Sequence, residues 1–327
     1  MALATDSRNL RAATPTSAVG LGAGIGASLV WGSAFLIPVL LGGWNPVIVA
    51  LGRYLAYGLL SAILFALGGR RLRRVLREHW RAALAFAVAG NAGYYLLLVI
   101  GIRTAGAPLT DMVIGAIPVV VAVTGNMLTP AVRWRRLALP LTLVTAGLAL
   151  VSALEISGVH AYLAVSPAEK AAGLLTAAGA VVLWTWYALA NARFLARQEA
   201  VSPADWSTVT GVTTGAVALA GLPAVALAGQ LTAPSGAHPG LAALVAGVVF
   251  LGVVVSWVGT SLWNLASSRL SPALAGLLVN LETVTGFGYV YAARQQWPAA
   301  GQLAGLALVI AGVTLTLVIA RSGRSRS

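Results

Sequence analysis

Arg53 and Glu282 are the side chains that most demand an explanation, because each lies inside a run of apolar residues. Asp111 sits a few residues into another such run. In hydrocarbon a charged group costs at least about 2.5–3.5 kcal/mol on insertion scales, so each requires a partner or a water-filled cavity. The chemistry open to such groups is recognition: a guanidinium or carboxylate in a cavity binds the carboxylate or amine of a solute. Two readings follow. Arg53 pairs with Glu282 or Asp111 as a structural ion pair, or Arg53 and Glu282 line a central cavity. Asp111 is close enough to the end of its run to be solvated. Asn91 and Asn280 lie at middle depth, where an amide either bonds a ligand or bridges helices, the latter commonly worth only about 0.6 kcal/mol. Asn280 and Glu282 are two apart and cannot share a helix face, so one of them faces a cavity. Asn191 and Asn264 fall nearer the ends of their runs and read as packing or gating residues.

The aromatic residues divide by depth. Trp44, Trp80, Trp134, Trp206 and Trp297 lie at the ends of apolar runs, which is where interfacial anchors belong. Trp31, Tyr94, Tyr95, Trp184, Trp186, Tyr187 and Trp257 lie deeper, where an indole or phenol needs a hydrogen-bond partner that lipid tails do not supply. A cavity walled by such rings suits an apolar or cationic organic solute. Ordinary helix packing is the alternative use.

The elements that carry these residues are read from hydropathy. The chain has 327 residues, 59% hydrophobic and only 9% charged, against about 25% charged in soluble domains. Runs of roughly 20 apolar residues suffice to cross a bilayer. Ten spans are predicted, at about 20–40, 46–68, 82–102, 107–128, 137–154, 171–194, 206–228, 241–265, 271–292 and 299–320, with Pro223 interrupting the seventh. Seventeen of the 21 basic residues fall in alternate connecting segments, including Arg70, Arg71, Arg73, Arg74, Arg77 and Arg81. Only Arg103, Lys170 and Arg294 fall on the other side, so the positive-inside rule places both termini in the cytoplasm. The net charge of +13 is thereby a topology signal, and no nucleic-acid partner is expected.

The two halves resemble each other. Leu141-Thr142-Leu143-Val144-Thr145-Ala146-Gly147 recurs as Leu306-Ala307-Leu308-Val309-Ile310-Ala311-Gly312, 165 positions later. Trp31 matches Trp184, and Pro108 with Pro118 match Pro272 with Glu282. Five spans per half is an odd number, so the second half is inverted. The fold class is therefore an all-α membrane protein of ten transmembrane helices in a 5+5 inverted-topology repeat. Its parts are a tail (1–19), a first repeat (20–154), an extracytoplasmic loop (155–170), a second repeat (171–320) and a tail (321–327). Such repeats are the ground plan of secondary transporters, with bent helices marking the site. Pro118, with Gly286 and Gly288 at the matching level, marks where spans 4 and 9 bend. Gly20-xxx-Gly24, Gly22-xxx-Gly26, Gly211-xxx-Gly215 and Gly301-xxx-Gly305 allow close helix approach, internally or in a homodimer.

Other chemistry is not expected. There is no GxxxxGK[ST] phosphate loop. The histidines His79, His160 and His238 lie in connecting segments and form no metal cluster, and no nucleophilic triad or carboxylate pair lies in the spans. The chain reads as a non-enzyme with no cofactor and no metal, whose partners are a small-molecule substrate and membrane lipids.

Leu29-Val30-Trp31-Gly32, Leu183-Trp184-Thr185-Trp186-Tyr187, Ala116-Ile117-Pro118-Val119, Leu262-Trp263-Asn264 and Ser271-Pro272-Ala273, set in this 5+5 plan, resemble the drug/metabolite transporter superfamily with paired EamA domains. Within it the chain looks most like the YddG-type exporters of aromatic and other neutral amino acids. The resemblance spans residues 20–320. It implies export of neutral amino acids or related metabolites from a bacterial cytoplasm, across the inner membrane, by alternating access. A tryptophan precedes the span-4 proline in that pattern; here Ile117 stands there, which widens the expected range beyond aromatic solutes. The first-span glutamate that couples protons in four-span multidrug relatives is absent, which favours uniport; proton coupling would have to use Glu282. The expected substrate-binding residues are Trp31, Arg53, Tyr94, Pro118, Trp184, Asn280 and Glu282. Efflux of cationic drugs is the alternative.

Overall fold

Four helices begin on the same device, a polar residue followed by proline: Asn45-Pro46, Ser166-Pro167, Ser202-Pro203 and Ser271-Pro272. In each, the polar side chain accepts a hydrogen bond from a backbone N–H of the first turn, and proline occupies a position whose N–H has no helical partner. The computed structural model describes residues 17–105, 110, 113–130, 132–158, 166–198, 200–234, 236–295 and 297–322. Residues 1–16 of the tail, Pro108, Asp111, His160 and 323–327 lie outside the described residues.

In chain order the helices are α1 (Ala18–Gly32), α2 (Leu36–Leu40), α3 (Pro46–Ala87), α4 (Gly93–Ala105), α5 (Ile117–Leu128), α6 (Trp134–Gly158) and α7 (Pro167–Arg197). They continue as α8 (Pro203–Leu227), α9 (Leu241–Phe250), α10 (Gly259–Arg269), α11 (Pro272–Arg294) and α12 (Ala300–Ser322). A 3₁₀ turn, Ser33–Phe35, joins α1 to α2. Two π-helical segments, Val88–Ala92 and Leu251–Val258, join α3 to α4 and α9 to α10. No strand occurs among the described residues. Among the described residues, six helical stretches are long and apolar enough to cross a membrane; one, Pro46–Ala105, has 60 residues, and Ile117–Leu128 and Ala300–Thr316 are shorter apolar helices. This is a membrane protein.

Several boundaries differ from expectation, each for a local reason. α3 is interrupted twice, at His79 (φ −125°, ψ 19°) and, where the helical basic segment begins, just after residue 68. Gly69, at φ 53°, makes the sharp turn there, a left-handed conformation that glycine alone adopts freely. Beyond it Leu72 and Val75 are buried while Arg70, Arg71, Arg73, Arg74 and Arg77 are exposed, so the segment is amphipathic. The expected loop 155–170 is helical at both ends, to Gly158 and from Pro167, because Ser166 and Glu169 close a capping box. Pro223 does not interrupt α8: it sits in the last turns, where few hydrogen bonds remain to be lost. The bend in the fourth apolar stretch falls at Gly115–Ala116, and Pro118 lies in the first turn of α5. α11 runs unbroken through Gly286, which instead admits the Phe35 ring.

Some of the helices expected to be counterparts pack on each other, though α1 and α7, matched through Trp31 and Trp184, are not a principal pair. α3 lies along α8, α6 along α12, and α5 along α11, while α4 packs on α7 and α1 on α10. The repeated motif meets its own copy: a methyl added at Gly147 would lie 2.8 Å from Val309 Cγ2, and one at Gly312 would lie 2.7 Å from Val144 Cγ2. Between α3 and α8 the backbones touch at Gly58 and Gly215, where a Cβ on either would come within 2.6 Å of the other's Cα. Close approach of this kind supplies the dispersion contact that drives helix association where the hydrophobic effect cannot.

Gly58→Ala therefore destabilises the protein by about 1–3 kcal/mol through overpacking. Gly288→Ala, with no atom within 4 Å of the added methyl, does not. Thermal unfolding in detergent checks this, and equal midpoints for the two variants would contradict it.

Candidate functional site

Irregular backbone gathers at one place. The two π segments, the 3₁₀ turn and the Gly115–Ala116 break all contribute residues to a cavity of about 300 Å³. A π turn leaves carbonyls out of register with their helical donors, and both segments use one such carbonyl to hold an aromatic residue from another helix. Trp31 Nε1 donates to Val255 O at 3.1 Å, and Tyr54 Oη donates to Asn91 O at 3.4 Å. Each rigidly placed ring then lines the cavity.

Six of the seven expected residues line it: Trp31, Arg53, Tyr94, Pro118, Trp184 and Glu282. Asn280 does not. It is fully buried, donates Nδ2 to Leu277 O at 3.0 Å on its own helix, and keeps Oδ1 without a partner. Its position two residues before Glu282 turns it away from the cavity that Glu282 faces.

The charges in the cavity are not paired with each other. Arg53 donates Nε to Ser256 Oγ at 2.9 Å and lies 5.7 Å from the centroid of the Tyr54 ring. Glu282 feels the Arg53 charge without touching it, and its carboxylate has no hydrogen bond or ion pair among the described residues. The ion pair found among them is Arg71–Asp205, at 2.9 Å near the basic segment. An Arg53–Glu282 ion pair is thus excluded as the structural explanation of these residues. The Trp184 indole N–H is likewise without a partner among the described residues.

The aromatic walls meet below the cavity. Trp31 and Trp184 stand edge to face with centroids 6.3 Å apart, and Trp263 closes the triangle at 5.6 and 5.9 Å. Trp263 is 2% exposed and does not line the cavity. Behind it runs a buried polar network. Asn191 Nδ2 donates to Asn264 Oδ1 at 2.7 Å, Trp206 Nε1 to Asn191 Oδ1 at 2.9 Å, and Asn264 Nδ2 to Ser207 Oγ at 2.9 Å. The Tyr57 hydroxyl donates to Ser207 O at 2.8 Å. Four helices are tied there by bonds buried within the protein.

Two tryptophan assignments change. Trp206, expected at the interface, is fully buried because Asn191 accepts its N–H and Phe194 stacks on it at 4.1 Å. Trp186, expected to be deep with a partner, is 48% exposed on the outer face of α7, two residues round from Trp184. Tyr54 and Tyr95 were not among the expected site residues, yet both line the cavity with rings 6.1 Å apart. The available signal was the Arg53-Tyr54 pair itself, a charge and a phenol adjacent inside one apolar run.

Comparison with known proteins fits this architecture. No family model matches the chain. A solved crystal structure, described only as that of a protein, superposes with a TM-score of 0.73 over 94% of this chain and 99% of its own, at 21% identity. That likeness shows the fold alone. The inner membrane protein YtfF of Escherichia coli (strain K12) is 34% identical over 300 residues, covering 89% of this chain and 92% of YtfF. The chain belongs to the family of YtfF.

Proposed function

We propose that the protein is an inner-membrane secondary transporter that exports neutral amino acids, aromatic or hydrophobic, or closely related metabolites. The reading places it in the drug/metabolite transporter superfamily with paired EamA domains, as ten spans in a 5+5 inverted repeat with both termini cytoplasmic. The packing of α3 on α8, α5 on α11 and α6 on α12, and the reciprocal Gly147–Val309 and Gly312–Val144 contacts, support the repeat. The name of YtfF supports the inner membrane.

The observation that carries the substrate class is the pair of unpaired charges. Arg53 and Glu282 sit on different helices of one cavity without neutralising each other. A zwitterion complements that arrangement, its carboxylate on the guanidinium and its ammonium on Glu282. The Trp31, Trp184 and Tyr187 rings then face its side chain. The volume of about 300 Å³ lies at the small end of the range for small-molecule sites, about 300–1,000 Å³, as suits a single amino acid.

Transport proceeds by alternating access. The Trp31–Trp184–Trp263 triangle and the Asn191–Asn264 network close the cytoplasmic end, so this conformation faces outward and releases substrate. Rocking of one half against the other separates those groups and closes the outer end. No charged residue of α1 participates, and the reading is uniport down the solute gradient. Efflux of organic cations is the second reading, favoured by an unpartnered Glu282 beside aromatic rings.

Uptake of labelled amino acids into proteoliposomes, with and without a pH gradient, tests the reading. The expected uptake saturates, is competed by phenylalanine, methionine or threonine, and ignores the gradient. Uptake of none of them would remove it. Trp184→Ala lowers the flux roughly two- to tenfold, the worth of one aromatic contact, at unchanged protein abundance.

Arg53→Gln and Glu282→Gln separate the two solute classes. Loss of a charge-assisted hydrogen bond weakens transport on the order of 10- to 100-fold. Arg53→Gln should do this for phenylalanine while sparing an amine that lacks a carboxylate, whereas Glu282→Gln impairs both. Full-rate phenylalanine flux in Arg53→Gln would contradict the zwitterion assignment.

A further inference from the structure

A second recess lies away from the cavity, between the last turns of α7 and the end of α3. It measures about 360 Å³ and is lined by Phe86, Ala190, Arg193, Phe194, Arg197 and Gln198. Its two cations are four residues apart on one helix, so they project from the same face about 6 Å apart along the axis. Neither makes an ion pair with a described residue, although Arg71 nearby in the fold's basic segment does. Glu199, next in sequence, lies outside the described residues. The arrangement offers two guanidiniums and an amide to one ligand, the donor set that grips a phosphate from several directions.

The rest of the recess is apolar and firmly built. Phe194 stacks on buried Trp206 at 4.1 Å and takes the edge of His79 at 5.1 Å. Phe86 braces the same cluster against Phe194 at 6.1 Å and reaches Trp186 at 5.8 Å. From the recess a stripe climbs α7 from half-buried Ala190 through Trp186 (48% exposed) to Val182 (65% exposed). These positions recur at intervals of four, one face of the helix, and Trp186 lies roughly 10 Å along the axis from Arg193. The cationic end thus continues into an apolar strip of the length of an acyl chain's first half.

Arginines at a helix C-terminus also complement its dipole, and arginines at this end of a span set topology. Neither role requires a recess, a glutamine beside the cations, or an apolar stripe running from them. Basic pockets between helices on the cytoplasmic side are the recurring sites of anionic lipid headgroups. From this combination we infer that the recess between α3 and α7 is a binding site for an anionic phospholipid. Its phosphate is held by Arg193, Arg197 and Gln198, and its acyl chain lies along the exposed Trp186 and Val182. Because α7 also carries Trp184 and Asn191, such a lipid bears directly on the helix that lines the cavity and its cytoplasmic closure.

Native mass spectrometry of the full-length protein in detergent tests the site, with phosphatidylglycerol, phosphatidylcholine and soluble glycerol phosphate added in turn. The expected result is retention of phosphatidylglycerol alone. Arg193→Gln with Arg197→Gln weakens that retention about thirtyfold, the sum of two surface cations. Arg73→Gln with Arg74→Gln, on the exposed basic segment outside the recess, leaves it within about threefold of the parent. Lipid-free thermal midpoints, equal for both pairs, show that folding is unaffected. Equal weakening by the two pairs would reduce the effect to general surface charge and overturn the site. Retention of phosphatidylcholine at the same strength, or of glycerol phosphate without a lipid tail, would overturn it as well.

Discussion

Inside a bilayer every backbone donor and acceptor must be satisfied by the protein itself, and departures from the regular helix are tolerated only where protein or a cavity covers them. The rest of this structure follows from how that constraint is met. Three of the departures fall at Val88–Ala92, at Leu251–Val258 and at the Gly115–Ala116 break. All of them border the same cavity. The misaligned carbonyls of Asn91 and Val255 accept from Tyr54 and Trp31, so the cost of the irregular turn is offset by the bond that positions a cavity wall. Backbone strain and site geometry are one arrangement.

Around that centre two kinds of contact divide the work. Away from the cavity the helices meet through glycine, at Gly58–Gly215 and in the reciprocal contacts of Gly147 and Gly312. Such seams are close and insensitive to small rotations of side chains. Below the cavity the helices meet through three tryptophans and a hydrogen-bonded network in which Asn191 accepts from Trp206 and donates to Asn264. Polar contacts of this kind are individually modest in membranes, so a network can hold one conformation without forbidding another. The region below the cavity is therefore built from contacts that separate at small cost, and the seams from contacts that do not.

Hydropathy and caps made much of the fold legible. The apolar runs became helices, and the matched Trp31 and Trp184 meet at 6.3 Å. Six of seven expected residues line the cavity because depth along a span is readable from counting. Facing is not. Two residues of rotation put Trp184 in the cavity, Trp186 on the outer surface and Asn280 into packing, and no single-sequence signal separates them. Trp206 read as an anchor by position, while its burial depends on Asn191 from another helix. The π segments were invisible for a related reason: Val88-Ala89-Gly90-Asn91-Ala92 has the composition of ordinary apolar helix, and the partner of its Asn91 carbonyl, Tyr54, lies 37 residues away on α3.

The chain contains no cysteine, so a single introduced thiol reports without background. The most direct measurement is labelling by a membrane-impermeant maleimide, from each side, of Ala34→Cys in the cavity wall and of Ser267→Cys, buried three residues beyond Asn264. Alternating access predicts that Ala34→Cys labels from outside, and that phenylalanine slows this labelling while opening Ser267→Cys to reagent from the cytoplasm. Labelling of Ala34→Cys from both sides at once, or no response of either site to phenylalanine, would contradict the account.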